Sequence, residues 1–136
     1  MSNGSVPLRG LFETHLTVGD LDRSVAFYRD VVGARVVRQI SDVLCLLSLG
    51  GSELLLTVGG GPTQDKPTVT FAPPTDPNAV SSELNIRVLD CFAAYEVLRL
   101  RGAEFLTPPV DWGYEVRAFL RDPDGHLIEL TQSGHQ

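Results

Sequence analysis

Cysteine, methionine and tryptophan are scarce in this chain, with two Cys, one Met and one Trp in 136 residues. Cys45 and Cys91 sit far apart in apolar stretches, without the close pairing of zinc or redox motifs. They read as buried thiols of a reducing compartment rather than as a disulfide or a metal pair. Basic residues are also few: 11 Lys and Arg against 17 Asp and Glu give a formal net charge of -6. That balance argues against nucleic acid or an anionic membrane surface as partner. No apolar run approaches the roughly 20 residues needed to span a bilayer, and Val43 to Gly51 is typical of the longest. The opening MSNGSVPLRG has no apolar segment of the secretory kind, so a cytoplasmic location is expected. With 43% hydrophobic and 21% charged residues, the composition is that of a folded domain rather than a disordered chain.

What the chain does have is an internal repeat. Val18-Gly19-Asp20 opens a segment running through Ala26-Phe27-Tyr28 to Gly33-Ala34, and Val88-Leu89-Asp90 opens another running through Ala93-Ala94-Tyr95 to Gly102-Ala103. The offset from Val18 to Val88 is 70 residues, so two copies of about 68 fill the chain. In the first copy Phe12 to Val18 alternates, with Phe12, Thr14, Leu16 and Val18 on one side and Glu13, His15 and Thr17 on the other. Asp20 or Asp22 can cap a following helix that buries Val25, Phe27, Tyr28, Val31 and Val32 and stops at Gly33. Strands are expected at Arg35 to Ile40, Val43 to Leu49 and Glu53 to Val58, with Gly50-Gly51 as a hairpin turn. The second copy predicts a strand at Ser82 to Leu89, a helix from Asp90 to Leu100, and strands near Glu104 to Leu106, Glu115 to Arg121 and His126 to Gln132. Asp122-Pro123-Asp124-Gly125 is a turn signal, with His126 beside it as a surface group.

The expected fold class is therefore α+β: paired βαβββ modules whose curved mixed sheet surrounds a cleft. Residues 1–136 form one domain, with module one at about 9–60, a linker at about 61–80 and module two at about 81–132. The linker is rich in Pro, Gly, Thr and Asp. Thr68 to Phe71 within it can pair as an edge strand, and Gly59-Gly60-Gly61 lacks the helix start and lysine of a phosphate loop.

In each copy the first strand turns its apolar side to the helix, so its polar side faces elsewhere. That side carries Glu13, His15 and Thr17 in copy one and Glu83, Asn85 and Arg87 in copy two; Glu13 and Glu83 are equivalent. On the last strand Leu127, Glu129 and Thr131 face away from Ile128 and Leu130. Such a polar face suggests a cleft. The loop Pro108 to Tyr114 adds Trp112 and Tyr114, which either stack on a flat ligand at the cleft mouth or close the module's own core.

The stretch Glu13-Thr-His-Leu-Thr-Val-Gly-Asp-Leu-Asp-Arg-Ser-Val-Ala-Phe-Tyr-Arg-Asp-Val-Val-Gly resembles the signature of the vicinal oxygen chelate superfamily, and Arg121-Asp-Pro-Asp-Gly-His-Leu-Ile-Glu-Leu resembles its last hairpin. This is the family of glyoxalases, bleomycin-resistance proteins and extradiol dioxygenases, and the resemblance runs from about Leu11 to Gln132. It implies a divalent metal held by the first and last strands of the modules, a small-molecule ligand and a homodimer. Carried across by the Val-x-Asp anchors, the metal positions fall on Glu13, Glu83 and Glu129, with Leu55 as the fourth. Leu55 cannot ligate, and the carboxylates present are a poor match to Zn, Ni or Fe; an all-oxygen set suits Mg or Mn better. Without a metal, Arg87 is expected to neutralise part of the acid cluster, and Glu129 to pair with Arg87 or Arg117.

Two functions follow. The first is a non-catalytic binder of an aromatic or polycyclic natural product or antibiotic, using His15, Asn85, Arg87, Trp112 and Tyr114 and no cofactor. The alternative is a metal-dependent lyase, isomerase or oxygenase, with Glu129 as its catalytic residue and a divalent ion (Mg, Mn, Zn, Ni or Fe) on the glutamates.

Overall fold

The computed structural model describes residues 4–134. Each half folds as a strand, a helix and three further strands. In the first half these are β1 (Thr14–Val18), α1 (Leu21–Ala26), β2 (Arg35–Ile40), β3 (Leu44–Leu49) and β4 (Ser52–Val58). In the second they are β5 (Leu84–Arg87), α2 (Cys91–Leu100), β6 (Val110–Asp111), β7 (Glu115–Arg121) and β8 (Leu127–Ser133). Both helices start alike. Asp20 accepts a hydrogen bond from the Arg23 N–H, and Asp90 accepts one from the Ala93 N–H, so each satisfies a donor its first turn leaves open. Both stop alike too, at Gly33 (φ 98°) and Gly102 (φ 104°), in a left-handed backbone that only glycine adopts without strain. After Ala26 the first helix widens into π-helical turns over Phe27–Val32, which leaves Tyr28 fully buried.

The strands make two mixed sheets of four, in the orders β1-β4-β3-β2 and β5-β8-β7-β6. In each, the first and last strands of the module pair in parallel and the remaining pairs are antiparallel. Leu54, Leu56, Cys45 and Leu47 fill one face of the first sheet, and Ile128, Leu130, Ala118 and Leu120 fill one face of the second. They join the helix residues Leu21, Val25, Tyr28 and Leu98 in one core, where each fully buried large side chain contributes about 1.5–3 kcal/mol. Both cysteines are free thiols within it.

Four features depart from the expected pattern. β1 begins at Thr14, and Phe12 is 86% exposed before it. β5 is shorter than Ser82 to Leu89. Glu104 to Leu106 is no strand: Phe105 bridges Leu120 only, and the fourth strand of the sheet is instead β6, the first residues after Pro109 that have an N–H to pair. Thr68 to Phe71 likewise reduces to one bridge between Phe71 and Gly60, because prolines at 67, 73 and 74 interrupt pairing on both sides.

The turn Asp122–Gly125 ties the halves together. Asp122, 5% exposed, accepts from Tyr28 Oη at 2.8 Å and, on its other oxygen, from the Asp124 and His126 N–H groups. Asp124 accepts from the Gly19 N–H and Ser24 Oγ. His126 is half-buried rather than a surface group, its Nε2 2.7 Å from the Thr17 carbonyl oxygen. His135 lies outside the described residues.

Candidate functional site

Strand pairing assigns every side chain on the two outward sheet faces. In the first sheet His15 stands opposite Leu55, Leu55 opposite Leu46 and Leu46 opposite Arg38; the next row is Thr17, Thr57, Leu44 and Ile40. On this face Leu55, Leu46, Leu44 and Ile40 stand among His15, Arg38, Thr17 and Thr57. His15 is fixed on it, with Nε2 2.6 Å from Thr57 Oγ1 and its ring 5.1 Å from that of Phe71.

The second sheet differs. Asn85 stands opposite Glu129 and Glu129 opposite Phe119; the next row is Arg87, Thr131, Arg117 and Val110. Glu129 is 6% exposed and Thr131 Oγ1 lies 2.6 Å from it, with Asn85 Oδ1 2.7 Å away on the other side. One hydroxyl proton cannot serve two acceptors. The contacts are satisfied when Thr131 donates to Glu129 and the Asn85 amide turns its NH2 toward Thr131 Oγ1. Glu83, just ahead of β5, lies beside Glu129. Burial first, and then this neighbouring carboxyl, push Glu83 up to about 7, against an opposing pull from Arg117. Glu83 therefore exchanges its proton around neutral pH.

Arg117 is the hub of the aromatic side of this face. Its guanidinium lies 5.1 Å from the Trp112 ring and 5.9 Å from the Phe119 ring, and it pairs with Glu115 at 3.3 Å. Trp112 is 52% exposed on the turn between β6 and β7, so it does not close the core. Tyr114, on the same turn, is exposed. Asn85, Arg87, Thr131 and Ser133 line a cavity of about 240 Å³. Arg87 takes part in none of the four ion pairs among the described residues, and Arg117, not Arg87, is the cation that acts on the acid pair. The charge that opposes the rise of Glu83 is that of Arg117, not of Arg87.

Glu83, Asn85, Arg87, Trp112, Tyr114 and Glu129 therefore share one sheet, while Glu13 and His15 belong to the other. Glu13 precedes β1 by one residue as Glu83 precedes β5, which preserves their equivalence. Among the described residues no three His, Cys, Asp or Glu side chains converge as a metal site would require. Leu55 stands opposite His15 just as Glu129 stands opposite Asn85, so an alkyl group fills the first sheet's copy of the Glu129 position. The donors on hand are two carboxyls, Glu83 and Glu129, with no imidazole beside them. Such a set does not fit Zn, Ni or Fe(II), whose protein sites generally include imidazole or thiolate.

Arg117, Thr131 and the alternation along β7 carry more of the site than the sequence alone brought out. Glu115, Arg117 and Phe119 at every second position are its signal. Phe71 had no such signal, being one aromatic in a polar linker.

The glyoxalase/bleomycin resistance protein/dioxygenase superfamily profile matches residues 10–130. A probable lactoylglutathione lyase of Vibrio parahaemolyticus is 30% identical over 98% of this chain and 94% of its own length. Among solved structures, a lactoylglutathione lyase from Agrobacterium tumefaciens superposes with a TM-score of 0.73 at 22% identity, covering 93% of this chain and 95% of the other. TnmS3, an antibiotic binding protein from a Streptomyces species, gives 0.71 at 20% identity, covering 96% of this chain and all of its own. The repeat, the two matched sheets and these likenesses agree: the chain belongs to the glyoxalase/bleomycin resistance protein/dioxygenase superfamily.

Proposed function

We propose that this chain is a small-molecule binding protein that sequesters an aromatic or polycyclic natural product, such as an antibiotic, without transforming it. One observation carries the reading: Leu55 occupies the register position that Glu129 holds in the other sheet, so the acid pair of module two has no counterpart in module one. The first sheet then offers Leu55 and Leu46 beside His15, and the second offers the Trp112–Arg117–Phe119 stack beside Asn85 and Arg87. Flat aromatic ligands gain large contact area on such surfaces at little entropic cost. The likeness to TnmS3, named an antibiotic binding protein, supports the same direction.

The binding unit in this reading is a homodimer, because each sheet keeps its site face open in the single chain. Sedimentation velocity at micromolar concentration checks this, and a monomer there would remove that part. Titrating the protein with a panel of polycyclic antibiotics while following Trp112 fluorescence tests the reading itself. We expect saturable quenching at low micromolar ligand, and weaker binding of the same ligand by a W112A variant followed by calorimetry. A panel that produces none would contradict it.

A second reading has its own support in the relatives named lactoylglutathione lyase and in the Glu83–Glu129 pair. It is a divalent-metal-dependent lyase, isomerase or oxygenase, with Glu129 in the reacting site and Glu13 and Glu83 as further donors. Stoichiometric metal binding together with turnover would establish it.

A further inference from the structure

We infer that Phe71, in the segment between the modules, is a ligand-stacking residue of the first sheet's open face, held in place by Lys66. The inference rests on the small-molecule binding reading above and adds a wall to that site.

Phe71 is 43% exposed, yet it is fixed on three sides. Its backbone bridges Gly60 through two hydrogen bonds, Phe71 N–H to Gly60 O at 2.9 Å and Gly60 N–H to Phe71 O at 3.2 Å. Its ring lies 5.1 Å from the His15 ring, at 46°, on the face that also carries Leu55 and Leu46. From the other side Lys66 Nζ stands 5.0 Å from the ring. The same ammonium donates to the Gly61 carbonyl at 2.7 Å and the Val69 carbonyl at 3.1 Å, so it clasps both limbs of the loop. Gly59 permits the close approach, since a Cβ there would sit 2.6 Å from the Phe71 carbonyl oxygen.

Ordering a loop costs conformational entropy, and burial normally offsets it. Here the ordering yields a half-exposed aromatic ring lying against His15, on a face that also carries Leu55 and Leu46. Immediately beyond Phe71 the chain borders a cavity of about 350 Å³, lined by Ala72, Pro73, Ser82, His126 and Leu127 among others. Leu127 shares the outward face of β8 with Glu129. The segment thus runs from the His15 end of one sheet to the Glu129 strand of the other. Phe71 supplies a flat apolar platform, and the ligand class is one with a planar, uncharged aromatic portion.

The neutral tricycle 1-aminoanthracene serves as probe, titrated by fluorescence into the full chain. F71A is expected to weaken its binding roughly five- to tenfold, in line with losing one aromatic stack and its area, whereas F71W retains it. Should F71A fail to fold, F71L, which keeps apolar volume without a ring, carries the same test. Lys66 acts through Phe71, so K66M is expected to speed hydrogen exchange at the Phe71 amide and weaken binding roughly threefold, and K66R to restore both. Wild-type binding that F71A or F71L leaves unchanged overturns this inference alone. A wild-type protein that binds neither this probe nor any polycyclic ligand overturns the binding reading, and the inference with it.

Discussion

Glu129 and Leu55 occupy matching places in two sheets of one design, and the difference between them sets the chemistry each face can perform. Around Glu129 the sheet gathers Glu83, Thr131, Asn85 and Arg117; around Leu55 it gathers Leu46 and His15. The acid pair leaves a mark on stability. Burial and the Glu129 carboxyl raise Glu83 from 4.5 to about 7 in the folded protein, so the folded state holds that proton more tightly than the unfolded chain does. The contribution is fully present below about pH 4.5 and is lost as pH rises through about 7. Urea unfolding across that window should show the wild type losing stability and E83Q losing less. Burial raises Asp122 as well, so a residual decline of the same sign should persist in E83Q. Identical slopes for the two proteins would show that Glu83 titrates as it does in the unfolded chain.

At the level of elements, the repeat made most of the fold legible. The capping aspartates and stop glycines recur at one spacing, and β2, β3, β4, β7 and β8 fall within a residue of the bounds that alternation and turn signals give. The misses share a cause. β6 and the Phe71 bridge lie in segments punctuated by prolines, where pairing is decided by which backbone groups other elements leave free, and local pattern carries no information about that. The Asp122–Gly125 turn was legible as a turn but not as a joint, because its partners lie about a hundred residues earlier, as with Tyr28 Oη to Asp122 at a separation of 94. Removing that hydroxyl tests the joint. Y28F leaves a buried carboxyl with one donor fewer and should lower unfolding free energy by about 1–2 kcal/mol, measured by urea denaturation. No change would mean that the backbone donors of Asp124 and His126 suffice.

Across the whole molecule, duplication explains how 136 residues can frame a ligand site at all. Each half contributes a sheet with one face in the shared core and one face outward, and on the outward side matching positions differ in chemistry, as at Leu55 and Glu129. The first sets Leu55, Leu46, Leu44 and Ile40 beside His15 and Arg38; the second sets Glu129, Asn85, Arg87 and Arg117 around Phe119. Which residues point outward was legible from alternation, and so were Glu83, Asn85, Arg87 and Glu129 as neighbours. That Glu13 and His15 would stand on a separate sheet was not, since period-two alternation fixes the face of a strand and says nothing of how two sheets sit. The central claim is that this divergence has removed a metal site and left a binding surface. Isothermal titration of the metal-free protein with Zn(II), Ni(II), Mn(II), Mg(II) and Fe(II) tests it most directly. We expect no stoichiometric uptake at micromolar metal. Stoichiometric micromolar binding of any of these ions, abolished by E129A, would contradict it.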